Sequence, residues 1–400
     1  MSCGSKILIY ALIYMLGSVQ FGFTLSYGSL PIEGLKKDYP NWDFNKDENK
    51  ISYFTHFASL FGSIGGFLIR ILAHFTSGRK ALCIFSILDF VCWILYFLFT
   101  PNQFAIGIVL RSIQGVITGG FACLTPVLMT DMAPDDAVGM FGCLNQFGIV
   151  FGMVLFPILG AYVNFKIMAV VAAVFNAIHA ALLWIIPENN KDKETKESIF
   201  QIKYVRAIFI GIMLMIFQQF CGMNAILGEL TKIMSNTGIN LDENLQSAFS
   251  TSAQLVSVLI AAFNMDVIGR RKMWVFSTCG IILSLVLYII CLNANTFGWF
   301  KAASVFLLML SFGQGYGPIP WFICHDIFPR SVRLDGQTLI TFGNMISSFG
   351  VVYLFPVMNE NLNENITMII YTCITILAIP FGLYFIPKKT ESNDANVTLI

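Results

Sequence analysis

Charge is what this 400-residue sequence has least of. Asp, Glu, Lys and Arg make up 12 % of it, against about 25 % in an ordinary soluble domain. That scarcity excludes a water-soluble globule. The signatures of soluble catalysis are missing too: there is no G-x-x-x-x-G-K-[ST] loop, no G-x-S-x-G turn and no H-E-x-x-H pair. The four histidines, His56, His74, His179 and His325, share no ligand spacing. The ten cysteines are scattered singly with no C-x-x-C, so they read as small apolar packing residues. No enzyme, metal site or cofactor is expected. A net charge of +1 singles out no partner, and no nucleic acid is expected.

What the chain has is hydrophobicity, at 56 % of residues and a mean hydropathy of +0.73. Apolar runs of about 20 residues, each long enough to cross a bilayer, recur twelve times, near 7–28, 51–75, 81–99, 104–130, 139–162, 165–186, 204–230, 248–266, 273–292, 299–327, 336–358 and 367–386. This predicts an all-α, multi-pass membrane protein of twelve transmembrane helices. The first run reads as a span, because only a short loop and another span follow it, not a cleavage site and a soluble domain. Lys and Arg cluster on one set of connections: Arg79 and Lys80, Lys191 to Lys203, Arg270 to Lys272, Arg330 and Arg333, Lys388 and Lys389. The positive-inside bias makes that the cytoplasmic side and puts both termini there.

The chain also repeats itself. "SGRK" at 77–80 is echoed by "IGRRK" at 268–272, "DMAP" at 131–134 by "DIFP" at 326–329, and "QFG" at 20–22 by "QFCG" at 219–222. All three pairs are offset by about half the chain, which predicts two parallel six-helix bundles around a cavity at the membrane midplane. The expected division is 1–186, a hydrophilic linker at 187–203, and 204–400. Glycine allows the tight reversals at the basic turns. Asp131, Asp266 and Asp326 end neighbouring spans where those cations can meet them, as a latch that parts when the bundles rock.

Polar side chains interrupt several spans, and in a membrane these face a cavity or another helix. Gln218, Gln219, Asn224 and Glu229 stand in the seventh, Asn145 and Gln146 in the fifth, Gln254 in the eighth and Asn344 in the eleventh. Amides offer both donors and an acceptor to hydroxyl groups, and Trp321 offers an apolar ring face. No cluster of fixed charge accompanies them, so the cargo expected is a neutral polyol. The segment "GYGPIPWFICHDIFP" at 315–329 breaks its helix, which a membrane tolerates only where the freed backbone lines a cavity or packs on protein.

At these residues the chain resembles the sugar porter family, the hexose facilitators of the major facilitator superfamily. "QQFCGMN" at 218–224, "GPIPWFICHDIFP" at 317–329, "GSVQFGFT" at 17–24, "DVIGRR" at 266–271, "LNQFGIVFG" at 144–152 and "PEN" at 187–189 are similar to family segments and occur in the family's order. The resemblance implies sugar contacts at Gln146, Gln218, Gln219, Asn224, Trp321 and Asn344, with Gln254 where the family usually has Asn. It implies a cytoplasmic gate at Arg79, Lys80, Asp131, Glu188, Asp266, Arg270, Arg271, Asp326 and Arg333. It also marks departures. Phe75 and Thr76 replace an acid or amide and an Arg before the first basic turn, Val138 replaces an Arg, Gly228 and Glu229 a pair of tyrosines, Gly313 a Glu and Met345 a Trp. The latch therefore reads as thinned.

The implied activity is facilitative transport of a glucose-like hexose by alternating access, in a protein working as a monomer in the plasma membrane with no partner beyond sugar and lipid. Proton-coupled members carry an Asp where this chain has Thr24, so passive transport is preferred over proton symport. Two acids dissent: Glu229, with Lys232 at a helical pair spacing, and Asp89, for which the sequence offers no local partner. A sugar sensor that binds without transporting is the alternative from another class, and the short tail after Pro387 argues against it. Asn365 in "NIT" is not expected to be glycosylated in so short a loop.

Overall fold

The computed structural model describes residues 3–28, 30–39, 41–42, 48–188, 197–228, 230, 243–293 and 298–388. Among them there is no strand, as a lipid environment requires of a chain that does not close into a barrel. The helices are α1 (Cys3–Ser26), α2 (Leu30–Asp38), α3 (Glu48–Phe75), α4 (Gly78–Leu95), α5 (Phe104–Met132), α6 (Val138–Tyr162), α7 (Phe165–Leu182), α8 (Ile202–Phe220), α9 (Met223–Gly228), α10 (Glu243–Ile268), α11 (Arg270–Asn293), α12 (Gly298–Gly313), α13 (Ile319–Ile327) and α14 (Arg330–Phe385). The apolar runs read from the sequence all fall on these helices. Among the described residues ten stretches are long and apolar enough to cross a membrane. One of them, α14, is two spans joined at Asn363, and α12 with α13 makes the remaining crossing in two pieces. Large apolar side chains such as Ile64, Ile71, Phe263, Phe276 and Leu377 stay exposed on the outside, where lipid covers them.

The last connection differs from expectation. The sequence reads as a loop between the eleventh and twelfth spans, but two helices meet there at one non-helical residue, Asn363, with φ 70° and ψ 162°, the one described non-glycine residue with positive φ. Asn tolerates that region better than most residues, and its side chain accepts a hydrogen bond from the Ile366 N–H at 3.1 Å, capping the second arm. Asn365 exchanges amide hydrogen bonds with Asn293. The basic turns also differ from each other. Gly269 reverses the chain with φ of 91°, whereas Gly78 is already helical and Ser77 makes the turn, its hydroxyl accepting from the Lys80 N–H.

Packing follows the repeat. In the first half α3 lies along α5, α1 along α6 and α4 along α7. In the second, α8 and α11 lie along α14, and α12 along α10 and α11. Across the halves α6 meets α10, and α14 meets α3 and α5. Each half holds its own apolar core. A third cluster, with Phe21, Ile149, Trp321, Phe328, Ile340 and Met345, bridges them. Of the linker, residues 189–196 lie outside the described residues, as do Glu229 and Lys232.

The break in the tenth span is satisfied by side chains. The Tyr316 N–H donates to the Ser277 hydroxyl at 2.9 Å, and that hydroxyl donates to the Ser311 carbonyl at 2.7 Å. The carbonyls of Tyr316 and Gly317 accept from Gln218 Nε2 at 3.3 and 2.6 Å. Trp274 stacks on the Tyr316 ring, with centroids 4.3 Å apart. The freed backbone groups are thus paired within protein, which is the condition under which a membrane accepts them.

Candidate functional site

Between the halves lies a cavity of about 250 Å³. All seven residues expected to contact sugar line it: Gln146, Gln218, Gln219, Asn224, Gln254, Trp321 and Asn344. They come from α6, α8, α9, α10, α13 and α14, so no local segment of the chain makes the site. Phe21 and Thr24 of α1, Thr55 of α3, and Arg111 and Thr118 of α5 complete the wall from the first half.

The amides divide into two kinds. Gln218 is spent on structure: besides its two bonds to the broken segment, its Oε1 accepts from Asn344 Nδ2 at 2.9 Å and from Gln219 Nε2 at 3.4 Å. Asn224 Nδ2 donates to Gln219 Oε1 and lies 3.5 Å from the Ser348 hydroxyl. These four amides form one hydrogen-bonded chain. By contrast, Gln146 Oε1 and Gln254 Oε1 are buried and have no hydrogen-bond partner in the protein. Such a group costs about 1–3 kcal/mol unless something else satisfies it. One comes from each half. Trp321, 4 % exposed, sets its ring edge-on to Phe21 across the halves, with centroids 5.8 Å apart. The apolar bridging cluster around this pair runs on to Tyr204, Phe328 and Val332, neighbours in sequence of the basic residues Lys203, Arg330 and Arg333.

Arg111 was not anticipated among the cavity residues. It is 2 % exposed, its Nε donates to the Phe54 carbonyl at 3.3 Å, and its Nη1 has no hydrogen-bond partner. Among the described residues Arg111 is the one charged side chain lining the cavity. A lone cation inside the fourth apolar run was the signal available for it, because an ionisable residue in a span is a functional candidate by default.

Asp89 lies deeper in the first half and does have a local partner. Trp93, one turn along the same helix, donates its indole N–H at 2.9 Å, and Asn176 of α7 donates at 2.8 Å. Asn176 also donates to Gln20 of α1 at 2.8 Å. Asp89 Oδ1 remains without a partner.

At the basic end the expected gate residues form three groups. Glu188 binds Lys80 at 2.6 Å and Arg79 at 3.3 Å. Its hydrogen bond to Lys80, then the charges of Lys80 and Arg79, hold its carboxyl below the ordinary value. Arg270 joins Asp266 at 3.2 Å and Asp326 at 3.1 Å. Asp266 in turn accepts the N–H groups of Gly139 and Met140 at 2.8 Å each, where the N-terminal dipole of α6 favours an anion. That bond crosses the halves at the position where Val138 replaces the family's Arg. Arg333 binds Asp131, also across the halves, with Arg330 at 3.9 Å from the same acid. Arg271 joins none of these acids; its Nε donates to the Ile386 carbonyl at 2.8 Å. Of the departures, Met345 lines the cavity, and Gly313 lets α12 close on α10, a Cβ there standing 2.8 Å from Ser257.

Comparison with known proteins fits this geometry. The family model described as "Sugar (and other) transporter" matches residues 10–199 and 188–393. The facilitated trehalose transporter Tret1 of Apis mellifera ligustica is 22 % identical, over 95 % of this chain and 85 % of its own. The glucose transporter GlcP of Staphylococcus epidermidis is 25 % identical, over 78 % of this chain and 80 % of its own. Among solved structures, the proton:xylose symporter XylE bound to 6-bromo-6-deoxy-D-glucose superposes with a TM-score of 0.86 at 20 % identity, covering 96 % of this chain and 97 % of that one. A cavity between two six-helix halves, a family match over nearly the whole chain and the major facilitator fold agree: this protein belongs to the sugar (and other) transporter family, as a multi-pass membrane transporter and not an enzyme.

Proposed function

We propose that the protein carries a neutral monosaccharide of the hexose class down its gradient by alternating access. One observation carries the reading: Gln146 Oε1 and Gln254 Oε1, from opposite halves, are buried in the wall of one cavity with no partner of their own. Two acceptors offered from both sides suit a solute with hydroxyl donors around a ring. The site then holds the solute only while the halves are closed on it. Trp321 and Phe21 supply apolar faces for its C–H side. A cavity of about 250 Å³ lies just below the range of about 300–1,000 Å³ typical of drug-sized ligands, which favours a monosaccharide over a disaccharide.

Among the described residues the cavity lining holds Arg111 but no acid. Thr24, at the position where proton-coupled relatives carry Asp, cannot exchange a proton near neutral pH. Both features favour passive transport. Proton coupling is the second reading, supported by Asp89, a buried carboxyl with one oxygen unpaired. In this proposal residues 1–186 and 204–400 are the two rocking units, the basic end is the cytoplasmic gate, both termini face the cytosol, the membrane is the plasma membrane, and the monomer is the working unit.

The test is purified protein in liposomes with labelled sugars competed against one another, with and without a pH gradient. Saturable hexose counterflow insensitive to the gradient is the result expected. Uptake driven by the gradient and abolished by Asp89→Asn would replace passive transport with symport.

A further inference from the structure

The first basic turn leaves the gate short of a tie. Arg79 and Lys80 are taken by Glu188 at the start of the linker, so they hold no acid of the second half. The seam where α14 meets α3 and α5 is tied in two places. Arg333, with Arg330, faces Asp131 of α5. Two residues on, Asp335 binds Arg70 of α3. Because α3 and α5 pack side by side, the first turns of α14 present a cation to one helix and an anion to its neighbour. A slide of α14 that brought Asp335 to Asp131, or Arg333 to Arg70, would set like charges together. The paired signs fix the register as well as the contact.

The seam leads to the cavity. One turn beyond Asp335, the Thr338 hydroxyl lies 3.4 Å from Cys123 Sγ of α5, both buried, and two turns further Met345 lines the cavity wall. A sugar leaving toward the basic end must part this seam.

We propose that Arg70 and Asp335 are positioning residues of the gate, a second bolt that makes up, one helix face away, for the cross-half tie absent from the first basic turn. The proposal rests on the alternating-access reading above. It concerns the closure of the cavity and not the identity of the cargo.

Cys123 reports on the seam without further engineering. Full-length protein in lipid nanodiscs is treated with a maleimide, and labelling is followed peptide by peptide by mass spectrometry in wild type, Arg70→Ala, Asp335→Asn and the swap Arg70→Asp with Asp335→Arg. Each neutralised variant should label Cys123 about five-fold faster, the population shift that about 1 kcal/mol gives, and the swap should return toward the wild-type rate. Cys92, buried within the first half away from the seam, should stay slow throughout. Unchanged Cys123 labelling in both single variants overturns the bolt. So does a swap as fast as the singles, or equal acceleration of Cys92, which would mean loosening of the fold. The labelling needs no sugar: a Cys123 response in a protein that fails to carry hexose upholds the bolt and removes the cargo assignment.

Discussion

Gln218→Ala set beside Gln146→Ala separates a bracing amide from one that binds sugar. In the wild type Gln218 Nε2 donates to the Gly317 carbonyl at 2.6 Å, and its Oε1 accepts from Asn344 at 2.9 Å. The substitution releases both groups into the cavity. At about 0.5–1.5 kcal/mol net per bond, losing the two costs the closed state that grips the sugar about 1–3 kcal/mol. Hexose flux below saturation should fall about 10- to 100-fold. Gln218→Glu is the sharper variant, because it keeps the acceptor for Asn344 but turns a carboxylate oxygen toward the two carbonyls of the broken segment. It should be at least as impaired while changing the side-chain volume little. Gln146→Ala touches no protein hydrogen bond through Oε1, so its loss of flux reports the sugar contact alone. The assay is counterflow of labelled hexose in proteoliposomes, with thermal stability of each variant measured in detergent. If Gln218→Ala and Gln146→Ala both stay within about two-fold of wild type, the cavity is not the transport site and the reasoning fails.

Gly65→Ala should abolish folded expression, since its Cβ would stand 1.9 Å from the Val116 carbonyl on α5; a monodisperse gel-filtration peak from this variant would contradict the α3–α5 crossing. Asp89→Ala strands the Trp93 indole N–H, while Asn176 keeps Gln20 and the Ala172 carbonyl as acceptors; it should destabilise the protein by about 1–3 kcal/mol, read as a lowered Tm, with Asp89→Asn milder. Glu188 titrates below its ordinary value of 4.5, so its tether to Lys80 and Arg79 contributes fully above that value and fades as pH falls through the lower, folded one. Arg79 also lies over Trp184 at 5.2 Å, so the difference in tryptophan emission between wild type and Glu188→Gln should be flat from about pH 8 to 5 and vanish below it; a midpoint above 4.5 would show that the tether is not formed.

How far the sequence reached is clearest at particular residues. Apolar runs of bilayer length determine helices because lipid offers backbone groups no other partner, and this needs no knowledge of packing. The repeat at half the chain length, the basic turns and the amides inside spans were legible for the same reason: each is costly where it stands unless the fold uses it. The sequence could not say which amide faces the cavity and which serves another helix, because a glutamine in a span satisfies either environment. Only the packed structure makes Gln218 a brace for the Tyr316–Gly317 break and leaves Gln146 and Gln254 with acceptors to spare. Nor could spacing along the chain reveal Arg70 with Asp335, which lie 265 residues apart, or Asp266 at the foot of α6. Burial is a local tendency that residue type encodes, whereas the pairing of charges and amides depends on which helix ends up beside which, and that belongs to the tertiary fold.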